Sequence, residues 1–193
     1  MSLKIAIIED KKEMYDYYKR IITIAFPEST TVPAESDYND FKKKLQSYFA
    51  GGISDKRRNT IKKAIEEYLP NDLDGLIIDY ELERDKANIW NGINFYEHFI
   101  KIRDSLKSKP VFFVSGHTET SLGRLKKVVD AIKTEGGKVG SYFPIPANFN
   151  ANEPFQEVSN RIQAFFNGNN GNHEIDKDSR NLLVSEIKTK QGS

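Results

Sequence analysis

The sequence predicts an α/β protein of the doubly wound kind, with a parallel sheet covered by helices on both faces. Three observations predict it. Apolar runs of strand length alternate with segments of helical period, which is the order of βα units. The runs are apolar at every position rather than every second one, as in strands buried on both faces. Two of them also stop abruptly on carboxylates, and the carboxyl ends of such strands are where functional groups gather.

Leu3–Ile8 is the first strand, nearly all apolar and rich in Ile, and it ends at Glu9-Asp10. Met14, Tyr18, Ile21, Ile22 and Ala25 then recur on one helical face, closed by Pro27. Thr30–Val32 is a weak strand. Residues 37–69 hold two helical patterns, one on Phe41, Leu45 and Phe49 and one on Ile61, Ile65 and Leu69. Gly51-Gly52 separates them, and Ser54 or Asp55 is placed to cap the second. Gly75–Tyr80 is a buried strand carrying Asp79, and 83–92 reads as a polar loop. Ile93, Tyr96, Ile100 and Leu106 predict an amphipathic helix over 93–107. Val111–Val114 is a strand after Pro110, followed by Ser115-Gly116-His117. Leu122, Leu125, Val128, Val129 and Ile132 predict a helix stopped at Gly136-Gly137. Val139–Phe143 is the last strand, and Phe155, Val158, Ile162 and Phe165 mark the final helix. The βα unit thus occurs five times.

One domain over residues 1–166 is expected from a length of 193 residues. Residues 167–173 read as a flexible polar linker. Residues 174–193 are a polar tail in which Leu182, Leu183 and Ile187 are spaced for one short helix, and which reads equally as disordered. Composition narrows the function. Lys plus Arg number 29 against 28 Asp plus Glu, a net charge of +1, too balanced for a sequence-independent nucleic-acid binder. With no cysteine, disulfides, thiolate metal sites and Cys nucleophiles are excluded. His98, His117 and His173 form no ligand-spaced pair. No apolar run is long enough to span a membrane and residues 1–10 do not read as a signal peptide, so a soluble cytoplasmic protein is expected.

The acids carry the chemistry. If the first strand and the strand ending at Asp79 are neighbours, Glu9, Asp10 and Asp79 converge at one rim of the sheet. Carboxylates crowded in this way raise one another's pKa unless a cation is present. Mg²⁺ suits them, as a hard ion that takes one or two carboxylates, a carbonyl and waters. Ser115 adds a hydroxyl at the same rim.

Here the sequence resembles the receiver domains of response regulators, over about Leu3–Phe166. "KIAIIED" is similar to that family's first strand and acidic pair, "DGLIIDYEL" to its phosphoacceptor strand and "PVFFVSGH" to its fourth strand with Ser115 at the hydroxyl position. "SYFPIP" sits where the family has an aromatic and then Lys-Pro. The resemblance implies a five-stranded, flavodoxin-like sheet, here enlarged by the helical insertion 37–69. It implies Asp79 as the phosphoacceptor, charged by a histidine kinase or phosphotransfer protein. Mg²⁺ would be held by Asp10, Asp79 and the main-chain carbonyl of Glu81, with Glu9 helping through a water. Ser115 would contact a phosphoryl oxygen and reorient, Tyr142 would be the aromatic that follows it, and a downstream protein would read the change. Such domains often pair as homodimers, although no exposed apolar stripe in this sequence demands it.

The sequence departs from the family in three ways. Ile145, not Lys, precedes Pro146, which removes a positive charge from the pocket, and Lys138 is a poor replacement by pattern. Asp10 and Asp79 are 69 positions apart, longer than usual, with the excess in 37–69. Residues 167–193 carry no recognisable output domain and are too few for a DNA-binding fold. The rival is therefore a phosphorylation-independent pseudo-receiver acting as a protein-interaction module through the insertion or the tail. The insertion carries eight basic and five acidic side chains, which read as the solvated faces of two helices or as a docking surface for an acidic partner. A metal-dependent hydrolase using Glu9, Asp79 and Glu81 is disfavoured, because Glu81 should point away from Asp79's partners and no general acid accompanies them. No enzymatic activity is expected. Trp90 reads as a partner-facing aromatic or a lid over the core, and His117 as an exposed loop residue.

Overall fold

The elements of the chain appear in a computed structural model that describes residues 2–80, 82, 84–85, 88–89, 91–114, 122–142 and 152–167. In order they are β1 (Lys4–Ile8), α1 (Lys12–Ala25), β2 (Thr30–Val32), α2 (Tyr38–Phe49), α3 (Asp55–Glu66) and β3 (Gly75–Asp79). A small hairpin of β4 (Arg84–Asp85) and β5 (Asn88–Ile89) follows, then α4 (Gly92–Phe95), β6 (Val111–Val114), α5 (Leu122–Thr134), β7 (Val139–Tyr142) and α6 (Asn152–Phe166). β2, β1, β3, β6 and β7 form one sheet in that spatial order, all parallel. Counting only the sheet strands along the chain, the order is 2-1-3-4-5, the flavodoxin-like arrangement, with its switch point between β1 and β3. Among the described residues no helix is long and apolar enough to cross a membrane.

The pleat sorts the central strands onto two cores. Ala6, Ile8, Leu76, Ile78, Val111 and Phe113 face one side and pack with Phe41, Leu45, Tyr48, Ile65, Ile93, Phe95 and Phe99. Ile5, Ile7, Ile77, Phe112 and Val114 face the other and pack with Tyr15, Tyr18, Ile21, Ile22, Ile162 and Phe166. Alternate residues thus enter opposite layers, and the strands need apolar side chains at every position.

Helix ends follow local chemistry. Ser54 is the N-cap of α3, its Oγ accepting from the Arg57 amide at 3.4 Å. Gly136, at φ +81°, closes α5. Its amide donates to the Lys133 carbonyl at 3.0 Å and the Gly137 amide to the Ile132 carbonyl at 2.8 Å, a Schellman end that a left-handed residue permits.

Two segments differ from the expectation. The predicted helix over 93–107 is divided. α4 ends at Phe95, residues Tyr96–Ile100 form a π-helical turn, and the chain continues in turns, with Arg103 donating to the Ile100 carbonyl at 3.0 Å. Ile93, Phe95, Tyr96, Phe99 and Ile100 are all buried. That face is broader than a regular α-helix packs, and closing Lys101 onto the Tyr96 carbonyl widens the turn. Asp104, Ser105 and Ser108 then favour turns over helix. The predicted loop 83–92 contains the β4–β5 hairpin.

The insertion is stitched to this segment. Tyr48 of α2 hydrogen-bonds His98 Nδ1 at 2.8 Å, and Arg58 of α3 donates to the Tyr48 carbonyl at 3.1 Å. Tyr48→Phe is expected to lose about 1 kcal/mol and about 2–4 °C in Tm, measured by thermal melting. An unchanged Tm would show that the hydroxyl contributes nothing to this contact.

Candidate functional site

Register and pleat bring the acids together. Ile8 pairs with Ile78, so one step further along the parallel strands Glu9 lies beside Asp79. Two-residue alternation puts Glu9 on the face of Ile5 and Ile7, and Asp79 on the face of Ile77. Both carboxylates therefore fall on the α1 side of the sheet, at the carboxyl ends of the adjacent strands β1 and β3. Asp10 follows at the turn into α1. One carboxylate oxygen from each of Glu9, Asp10 and Asp79 lies within 4.8 Å of the others. Glu9 is 2% exposed and Asp79 8%, while Asp10 is partly exposed.

Glu9 is held in place by the backbone. Its Oε1 accepts from the amides of Asp10 at 3.0 Å and Lys11 at 2.9 Å. Lys11 is the N-cap of α1 and supplies no side-chain cap, so the Glu9 carboxylate serves the helix start, where negative charge is favoured. Burial raises the Glu9 pKa well above its ordinary 4.5, and the charges of Asp79 and Asp10 raise it further, against the lowering effect of the Lys11 amide. Three carboxylate oxygen donors, without nitrogen or sulfur among the described residues of the cluster, suit a hard divalent ion.

The shift fixes a pH dependence. An acid whose pKa is higher in the folded than in the unfolded state binds protons preferentially when folded, so stability falls as pH rises between the two values. Without divalent cation, the Tm of the chain should decline as pH is raised from about 4.5 through the folded value of Glu9. Glu9→Gln should flatten the decline. An equal decline in wild type and Glu9→Gln, followed by scanning calorimetry, would assign it to other groups.

Two buried tyrosines lie within electrostatic reach of the acids. Tyr18 on α1 is fully buried, and Tyr38 at the start of α2 is 2% exposed. Burial raises the pKa of both. Glu9 and Asp79 raise that of Tyr18 further, and Glu9 and Asp10 that of Tyr38. The sequence places Tyr18 on an apolar helix face, and nothing in its spacing marks a hydroxyl beside the acids. Gly92 is the other residue that sequence reasoning misses. A Cβ there would meet the Asp79 carbonyl oxygen at 2.3 Å, so the backbone of α4 passes directly against the end of β3. A Gly at the first helical turn after an acid-terminated strand is the signal that could have found it.

The strand order, with acids at the ends of β1 and β3 at its switch point, decides the architecture. The fold is that of a receiver domain. No family model matches the sequence, and no curated protein matches it. Among solved structures, this chain is similar to the phosphorylated cyanobacterial phytochrome response regulator RcpA, at 18% identity over 88% of this chain and 96% of that one, with a TM-score of 0.48. It is similar to the chemotaxis protein CheY4 of Vibrio cholerae at 14% identity, over 84% of this chain and 99% of that one, with a TM-score of 0.45. It is also similar to the Mn²⁺-bound form of response regulator Rcp1 at 17% identity, over 85% and 94%, with a TM-score of 0.43. The assignment rests on this chain's own strand order and acids.

The remaining predicted residues divide. Glu81, Ser115, Trp90, His117 and Ile145 lie outside the described residues, as does the tail. Tyr142 ends β7 by its backbone, and its side chain lies outside the described residues. Lys138 is settled. It precedes β7, and its carbonyl accepts from the amide of Val111, the first residue of β6. Asp79 is level with Val114 and Tyr142, so Lys138 sits about four residues, or ~13 Å, back along the sheet. Its Nζ donates to the Phe165 carbonyl and lies 4.9 Å from the Phe165 ring centroid. It is committed to the opposite rim.

Proposed function

We propose that the receiver accepts a phosphoryl group on Asp79 in a Mg²⁺-dependent reaction and thereby alters a protein-binding surface. The observation that carries this reading is the meeting of Glu9, Asp10 and Asp79 within 4.8 Å at the switch point. Asp10 and Asp79 would hold the ion with the Glu81 carbonyl, and Glu9 would contribute through a water. The ion would offset the negative charge that three carboxylates and a phosphoryl group bring together.

Asp79 is the nucleophile. One of its carboxylate oxygens forms a bond to phosphorus as the P–N bond of a phosphohistidine donor breaks, and the departing imidazole takes up a proton from water. Burial of Asp79 limits access of water to the acyl phosphate. The donor is a histidine kinase or phosphotransfer protein. Ser115 takes a phosphoryl oxygen, Tyr142 follows it, and a downstream protein reads the new packing by population shift. The chain acts as a switch and not as an enzyme on a separate substrate.

A second reading is a receiver-fold interaction module that phosphorylation does not control. The position of Lys138 favours it, because that ammonium cannot replace the one missing at Ile145. The two readings separate in one experiment. The chain is incubated with Mg²⁺ and a small phosphodonor such as acetyl phosphate, and intact mass is measured. A gain of one phosphoryl group supports the switch. No gain, with no Mg²⁺ binding by calorimetry, moves the assignment to the interaction module.

A further inference from the structure

The hydroxyls of Tyr18 and Tyr38 are buried and have no hydrogen-bond partner. Each belongs to a ring that fills the α1-side core, a task phenylalanine performs without burying a polar atom. An unpaired hydroxyl destabilises the fold in that state, so its presence calls for a state in which it is paired. Both sit on the layer where the pleat sends Glu9 and Asp79. The charges of Glu9 and Asp79 act on Tyr18, and those of Glu9 and Asp10 on Tyr38. Two buried, unpaired donors thus share a layer with the acids and lie within their electrostatic reach.

We infer that Tyr18 and Tyr38 are positioning residues of the cation site, whose hydroxyls donate to the Glu9, Asp10 and Asp79 carboxylates once a divalent ion is held. The inference rests on reading the acids as a cation site. Carboxylates drawn toward an ion keep outward-facing lone pairs, and a ligating carboxylate is typically hydrogen-bonded by a further donor that fixes its orientation. Tyr18 stands on α1 and Tyr38 on α2, so the first helix of the insertion would contribute to the site. Tyr15 differs. It is equally buried, but its hydroxyl donates to the Pro33 carbonyl at 2.6 Å, and it has no unpaired donor to offer.

The test uses the full chain with Mn²⁺ as probe, titrated by calorimetry, and thermal melting without cation. Tyr18→Phe and Tyr38→Phe should each weaken Mn²⁺ binding about tenfold, the size of a hydrogen bond to a charged group, while the cation-free Tm stays level or rises. Tyr15→Phe should lower the cation-free Tm and leave Mn²⁺ affinity unchanged. Wild-type affinity in both Tyr18→Phe and Tyr38→Phe overturns the inference and leaves the cation site standing. If the wild-type chain binds no Mn²⁺, the cation reading fails and this inference with it.

Discussion

Asp79→Asn should take up no phosphoryl group from any donor under conditions that charge the wild-type chain. The amide carries no anionic oxygen to attack phosphorus. The same substitution removes the charge that, after burial, contributes most to raising the Glu9 pKa. Two further results follow. Cation affinity should fall by about 100-fold, since losing even an outer-shell partner of a metal site costs 10–100-fold. The cation-free protein should become more stable at neutral pH, because one of three crowded negative charges has gone. Intact-mass analysis, calorimetry and thermal melting read the three effects independently. Phosphoryl uptake by Asp79→Asn at the wild-type rate would place the acceptor elsewhere. Loss of uptake together with a large fall in Tm would show that Asp79 mainly holds the fold.

Parts of this arrangement are written in local sequence. β1, β3 and β6 are legible because strands buried on both faces must be apolar at consecutive positions, so Ile5–Ile8, Leu76–Ile78 and Val111–Val114 stand out. Glu9, Asp10 and Asp79 are legible as candidates because an acid at the end of such a run breaks the apolar pattern and is costly to bury without a compensating partner. That they meet is a property of strand order, which places β1 beside β3 across almost seventy residues of intervening chain. β2 is faint at an edge of the sheet, where Thr30 is exposed and Thr31 and Val32 only partly covered. The π-helical turn at Tyr96–Ile100 is not legible at all, since apolar spacing does not reveal whether a turn closes over four residues or five. Tyr18 reads as core, correctly. What the sequence does not disclose is that its hydroxyl is buried without a hydrogen-bond partner and lies within electrostatic reach of Glu9 and Asp79. Lys138 lies few positions from Pro146 in sequence, yet it stands just before β7, a whole strand back from Tyr142, the residue level with Asp79.

Gly92→Ala should lower the Tm by about 6–12 °C, from a cost of about 3 kcal/mol for forcing a methyl into closed packing. The added Cβ would lie 2.3 Å from the Asp79 carbonyl oxygen, 3.1 Å from its carbonyl carbon and 2.7 Å from Ile78 Cγ2. Neither side can yield at low cost. Asp79 is fixed in register opposite Val114, and Ile78 is fully buried. On the helix side, the Gly92 amide donates to the Tyr80 carbonyl at 3.0 Å, and Asn91 and Asn94 cap each other reciprocally at 3.1 Å. Whichever backbone moves, the end of β3 moves with it and carries Asp79 away from Glu9 and Asp10. The substitution should therefore weaken Mn²⁺ binding even at temperatures where the variant is fully folded. Gly52→Ala separates this from a general loss of stability. Gly52 has φ +74°, and no atom lies within 4 Å of the place an alanine methyl would take, so alanine there should cost about 1 kcal/mol of backbone strain and leave cation affinity unchanged. Equal affinity losses in the two variants would show that the site responds to global stability rather than to the contact between Gly92 and Asp79. Wild-type Tm and affinity in Gly92→Ala would show that α4 can draw back from β3 without disturbing the acids.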